Sequence, residues 1–76
     1  MEVAPRITIE PGKMGGRPCI RGMRITVGTI MGLLAAKHSR EDIIRLYPYL
    51  QDEDITAALD YATKLLNDQD IPIERA

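Results

Sequence analysis

The sequence predicts a mainly α domain that begins with a short β arm. Three observations lead to this. Arg6-Ile7-Thr8-Ile9-Glu10 alternates polar and apolar residues with β-branched members, the period of a strand. Three later stretches repeat apolar residues every three or four positions, the period of a helix. Between the two regimes lies a loop dense in glycine, proline and basic residues. One domain accounts for the 76 residues: a basic strand-loop-strand over 6–25, three helices over 26–67 and a polar tail over 68–76.

Taken in order, the first strand places Ile7 and Ile9 inward and stops at Pro11-Gly12. The loop from Pro11 to Ile25 holds four glycines, two prolines and the cations Lys13, Arg17, Arg21 and Arg24. Glycine permits backbone angles other residues avoid and proline fixes φ, so this is a shaped loop. Its apolar Met14, Cys19, Ile20 and Met23 set it apart from a flexible linker. Arg24-Ile25-Thr26-Val27 is a second β candidate, paired with the first strand as a hairpin or with a second subunit. Thr26 equally suits the N-cap of the first helix, where Val27, Ile30, Met31 and Leu34 recur at helical spacing. Ser39 suits the N-cap of the second helix, with Glu41 and Asp42 in its positive first turn, and Pro48 stops it. Gln51 or Asp52 caps the third and longest helix. There Ile55, Ala58, Leu59, Ala62, Leu65 and Leu66 make one apolar stripe. Leu59 lies mid-stripe, and as a core residue its truncation to alanine would cost about 2–5 kcal/mol. A short second helix, a tight turn and a longer third helix is the helix-turn-helix order.

Composition narrows the chemistry. The single Cys19 excludes an intramolecular disulfide, and with His38 as the only imidazole there are too few ligands for structural zinc. Cys19 between Pro18 and Ile20 reads as a packed small side chain, with a reactive thiol in a basic neighbourhood as the alternative. His38 and Ser39 are adjacent but lack a third orienting group, and Ser39 is better used as a cap. Gly12 to Gly22 follows neither the Walker nor the dinucleotide spacing. The expectation is a non-enzyme without metal or cofactor. No apolar run approaches a membrane span and the N-terminus lacks signal-peptide character, so a cytoplasmic protein is expected.

Charge is uneven. Residues 1–45 carry eight basic and four acidic residues, whereas residues 46–76 carry two basic and seven acidic. Such asymmetry suits an anionic partner at one end. Arg17, Arg21 and Arg24 are the expected phosphate contacts, with Thr56, Tyr61 and Lys64 on the third helix facing a DNA groove. That helix also carries Asp52, Glu53, Asp54 and Asp60, more acid than DNA binding prefers, which favours a protein-interaction module instead. A weaker third reading is an anion- or nucleotide-binding glycine loop. With no Phe or Trp the core is thin, so a homodimer is expected, with Ile7, Ile9, Ile20 and Ile25 near the shared surface.

Several strings carry a family resemblance. Arg6-Ile7-Thr8-Ile9-Glu10-Pro11-Gly12, Gly15-Gly16-Arg17-Pro18-Cys19-Ile20-Arg21-Gly22, Tyr47-Pro48-Tyr49-Leu50 and Ala57-Ala58-Leu59 closely resemble the family catalogued as domain of unknown function 433. The resemblance runs from about Arg6 to Ala62. It implies a homeodomain-like helix-turn-helix after an N-terminal β element. It also implies a prokaryotic antitoxin of VapB type, paired with a PIN-like ribonuclease toxin and repressing its own operon. The chain departs from the family's pattern at Met23 and at Gln51, where Thr or Ser is usual.

Overall fold

The structure is a computed structural model and describes residues 1–67. Three short strands, β1 (Glu2–Ala4), β2 (Ile7–Thr8) and β3 (Cys19–Ile20), precede three helices, α1 (Val27–Ala35), α2 (Arg40–Leu46) and α3 (Asp52–Asn67). The sheet is antiparallel in the order β1-β2-β3. Ile7 lies opposite Ile20 and Thr8 opposite Cys19. A bulge interrupts the β1–β2 register between Glu2 and Ala4.

The helices form where the sequence places them because their starts are local. The Thr29 N–H donates to the Thr26 hydroxyl at 3.0 Å, and the Asp42 N–H donates to Ser39 at the same distance. Each cap satisfies one of the donors that a first helical turn leaves free. The strands depart from expectation. The strand read over 6–10 shortens to Ile7–Thr8, and its partner is Cys19–Ile20, inside the segment read as loop. Arg24–Val27 forms no strand. Thr26 makes a single bridge to Cys19, then its side chain caps α1 and the backbone turns into the helix. β1 was not expected at all. Pairing partners lie far apart in sequence, so alternation alone does not select them.

Both layers share one core. Ile7, Ile20 and Ile25 from the arm meet Val27, Ile30, Ile43, Leu50, Ile55 and Ala58 from the helical part. Burying each aliphatic side chain fully contributes about 1.5–3 kcal/mol. Cys19 is buried and its thiol points at the Arg17 carbonyl, the packed reading of that residue. Leu59 is not core. It is 39% exposed, and Leu65 and Leu66 are exposed too. The inward positions of α3 are Asp54, Ile55 and Ala58. A buried carboxylate therefore sets the rotation of this helix and turns Leu59 to its flank. Among the described residues no helix is long and apolar enough to cross a membrane. The tail read over 68–76 lies outside the described residues.

Candidate functional site

Asp54 organises the junction between the arm and α3. Its side chain is completely buried. Arg6 Nη1 donates to Oδ1 at 2.8 Å, and Arg21 donates from Nε to Oδ1 at 3.0 Å and from Nη2 to Oδ2 at 2.9 Å. The Gln51 N–H completes the set at 2.8 Å, the reach-back of an N-terminal capping box. Burial pushes the Asp54 carboxyl up, but Arg21, the Gln51 N–H and Arg6 outweigh burial and bring it down to about 2. Arg6 and Arg21 both hold positive φ, 67° and 45°, a region that non-glycine residues rarely adopt. Their backbones are also joined, Arg21 N–H to Arg6 carbonyl, at 3.0 Å. The strained turns are thus held in place by the carboxylate their side chains share. Among the described residues every buried side-chain polar atom has a partner, and this cluster fastens the arm to α3.

Most other charges are also paired. Arg40 binds Asp52 at 2.8 Å and lowers its carboxyl below the ordinary range. Arg45 binds Asp42. Lys13 reaches Glu10 and the Gly22 carbonyl. Gly22 has φ 73°, so the turn that presents this carbonyl requires glycine at low cost. Among the described residues, Arg17, Arg24 and Lys37 are side-chain cations with no carboxylate partner, and all three are exposed.

A cleft of about 450 Å³ runs between the start of α1 and the end of α3. Arg17 stands at its edge, and Pro18, Val27, Tyr61, Ala62 and Leu65 line it. On the other side of Tyr61 and Leu65 a second cleft, about 310 Å³, is bounded by Val3, Pro5 and Lys64. Among the described residues no carboxylate lines either one.

The expected site residues divide accordingly. Arg17, Tyr61 and Lys64 gather around Leu65. Arg24 is exposed elsewhere on the loop. Thr56 lies nearer the start of α3, where its hydroxyl accepts from Arg40 at 2.6 Å. Arg21 is committed to Asp54 and to the Tyr49 carbonyl. The four isoleucines expected at a shared surface are displaced further. Ile7, Ile20 and Ile25 are 0%, 0% and 3% exposed within one chain, and Ile9 is half-buried. Ile7, Ile20 and Ile25 serve the chain's own core, where β2 packs against α3. Sequence reasoning missed Asp54 and Arg6 as a pair. The available signal was the spacing of Gln51 and Asp54, three apart at a helix start.

The GGRPCIRG segment thus supplies β3 to the sheet and Arg21 to the Asp54 cluster. Residues 7–62 match the family described as Protein of unknown function (DUF433). The chain belongs to this family. A crystal structure of a DUF433 member protein from Anabaena variabilis superposes with a TM-score of 0.77 at 32% identity. The match covers 86% of this chain and 64% of that one. The uncharacterized protein y4eO of Sinorhizobium fredii is 38% identical over 56 residues, 74% of this chain. The DUF433 chain spans a quarter of the length of that curated relative. The matched residues enclose the strands β2 and β3, α1, α2, Arg21, Gln51, Asp54 and Tyr61, and begin just after Arg6.

Proposed function

We propose that this DUF433 domain is a DNA-binding antitoxin or small transcriptional regulator, dimeric, with a PIN-like ribonuclease toxin as its protein partner. The observation that carries the reading is the pair of exposed loop cations, Arg17 and Arg24, which among the described residues have no carboxylate partner, while six of the other basic side chains there are paired. The succession of a seven-residue α2, a short turn and a sixteen-residue α3 supports a helix-turn-helix of homeodomain-like kind. The outer face of α3 begins with Asp52 and Glu53, so phosphate contacts fall mainly to the loop. A second copy would dock on Leu59 and Leu66, exposed and seven residues apart on α3.

A protein-interaction module without DNA binding is the second reading. It is favoured by the apolar clefts around Tyr61 and Leu65.

The test is binding to the DNA upstream of the gene, measured across salt concentrations. Each lost phosphate contact lowers the slope of log K against log salt by about 0.9. Arg17→Ala and Arg24→Ala each produce that decrement. Arg21→Ala lowers stability instead, because its guanidinium faces Asp54. Absence of any salt-sensitive binding, with the toxin candidate present as well, ends the DNA reading and leaves the interaction module. Sedimentation at tens of micromolar decides dimerisation separately.

A further inference from the structure

The inward face of α3 runs past the body that should cover it. Leu65 follows Ala58 by seven residues and so points the same way, yet Ala58 is fully buried and Leu65 is 49% exposed. Tyr61 and Leu65, one turn apart on α3, form a ridge with an apolar cleft on either side. Pro18 and Val27 close the first cleft on the α1 side, and Val3 and Pro5 close the second on the β1 side. Each cleft carries one cation, Arg17 in the first and Lys64 in the second. Among the described residues Arg17 has no carboxylate partner. Lys64 has Asp60 at 3.6 Å, with both side chains about two-thirds exposed, so solvent screens the pair.

The two clefts make one surface, apolar along its middle and positive on both sides. Charge complementarity defines the occupant: large apolar residues along one stripe, with acids along both flanks. An amphipathic helix has that layout, because residues at i, i+3, i+4 and i+7 share a stripe and their neighbours flank it. An extended segment turns every second side chain away from the surface, and DNA carries no apolar stripe. We propose that these clefts dock an acidic amphipathic helix of a partner protein. Its apolar stripe straddles the Tyr61–Leu65 ridge, and its carboxylates meet Arg17 and Lys64. The inference rests on the protein-partner side of the reading above and needs no DNA. Where Arg17 also contacts phosphate, the partner helix and DNA compete for it.

The experiment titrates a synthetic peptide into isotope-labelled protein, residues 1–76, followed by NMR. The peptide has about 16 residues, long enough to hold a helix. Leucines form one stripe, glutamates its flanks, and alanines and glutamines the far face. The amide signals of Val27, Thr29, Tyr61 and Leu65 are expected to shift to saturation while those of Ile43 and Leu46 stay in place. Arg17→Ala weakens binding about 2- to 5-fold, the range of an exposed ion pair. Leu65→Ser weakens it about tenfold, and Leu59→Ser, on the flank of α3, leaves it unchanged. Arg17 and Leu65 are exposed, so both variants keep the fold, which the Ile43 signal checks. A peptide with lysines in place of the glutamates does not bind. Three results overturn the proposal. One is the absence of saturable shifts at the cleft residues; shifts confined to α2 or to the start of α3 would remove this site and leave the interaction-module reading standing. The second is NOEs that fill the clefts without peptide, from residues beyond Asn67 or from a second copy in a mixed-label sample. The third is equal binding of the lysine peptide, or phosphatidylglycerol vesicles shifting the cleft signals when the acidic peptide does not, which assigns the face to a lipid surface. The DNA measurement above is decided separately from all three.

Discussion

The two halves of α3 have the same kind of sequence and opposite surroundings. In the first half, Asp54, Ile55 and Ala58 are fully buried against the arm and α1. In the second, Leu65 and Leu66 are 49% and 69% exposed. The second half contributes two leucines and leaves them exposed, whereas the first half buries a carboxylate. The difference lies in what the rest of the chain supplies. Arg6 and Arg21 bring two guanidiniums to Asp54, and the β arm that carries them covers the start of the helix. No comparable element among the described residues covers its end. Burial follows available partners, and a charged side chain with three kinds of donor is more deeply buried than a leucine with too few neighbours.

The largest effect that would break this comparison comes from Asp54→Ala. It leaves two guanidiniums at the junction without their shared carboxylate and releases the strained turns at Arg6 and Arg21. Breaking a buried ion pair costs about 3–5 kcal/mol. Both arginine side chains are about one-third exposed, so the lower end applies. Chemical denaturation measures this, and a loss below about 1 kcal/mol would show that Asp54 is not the fastening. Next, Ile55→Ala removes a fully buried side chain in the same half and is expected to cost about 2–5 kcal/mol by the same method.

Acid separates the charge from the packing. The folded Asp54 carboxyl titrates at about 2, below its ordinary 3.8, so the unfolded chain takes up the proton first. The stabilisation is complete above about pH 4 and disappears as the pH falls toward 2, an effect on the order of 2 kcal/mol. Denaturation midpoints followed from pH 6 to pH 2 should show this fall, and an Asp54→Asn variant that still folds should show a flatter one. An equally steep acid limb in that variant would move the effect to other carboxylates. The smallest effect is expected from Leu59→Ala, within about 1 kcal/mol, because its side chain retains much of its exposure in the folded chain. A loss of several kcal/mol at micromolar concentration would mean that Leu59 is covered in solution, as a dimer would cover it.

Much of the helical part was legible from the residues. Thr26 and Ser39 cap the helices they were expected to cap, and Pro48 falls just after α2. The placement of Cys19 as a packed residue also holds. The arm was legible as β structure but not in its pairing, since Cys19–Ile20 looked like loop and Arg24–Val27 like strand. Of the site, the loop cations were visible as a group, but their division was not. Arg21 reads no differently from Arg17 along the chain. Only the position of Asp54, 33 residues away from Arg21 and 48 from Arg6, separates the anchored pair from the free ones.

The sequence by itself determined the three helices, their starts and stops, and membership of the DUF433 family. Capping, turn chemistry and helical periodicity act between residues at most four apart, so the order of residues is enough to express them. Tertiary structure alone decided the strand partners, the rotation of α3, the burial of Asp54 and which arginines remain free. Those outcomes depend on contacts between the first quarter of the chain and its third helix. A buried carboxylate is tolerable only where distant donors converge on it, and the spacing of nearby residues says nothing about that convergence.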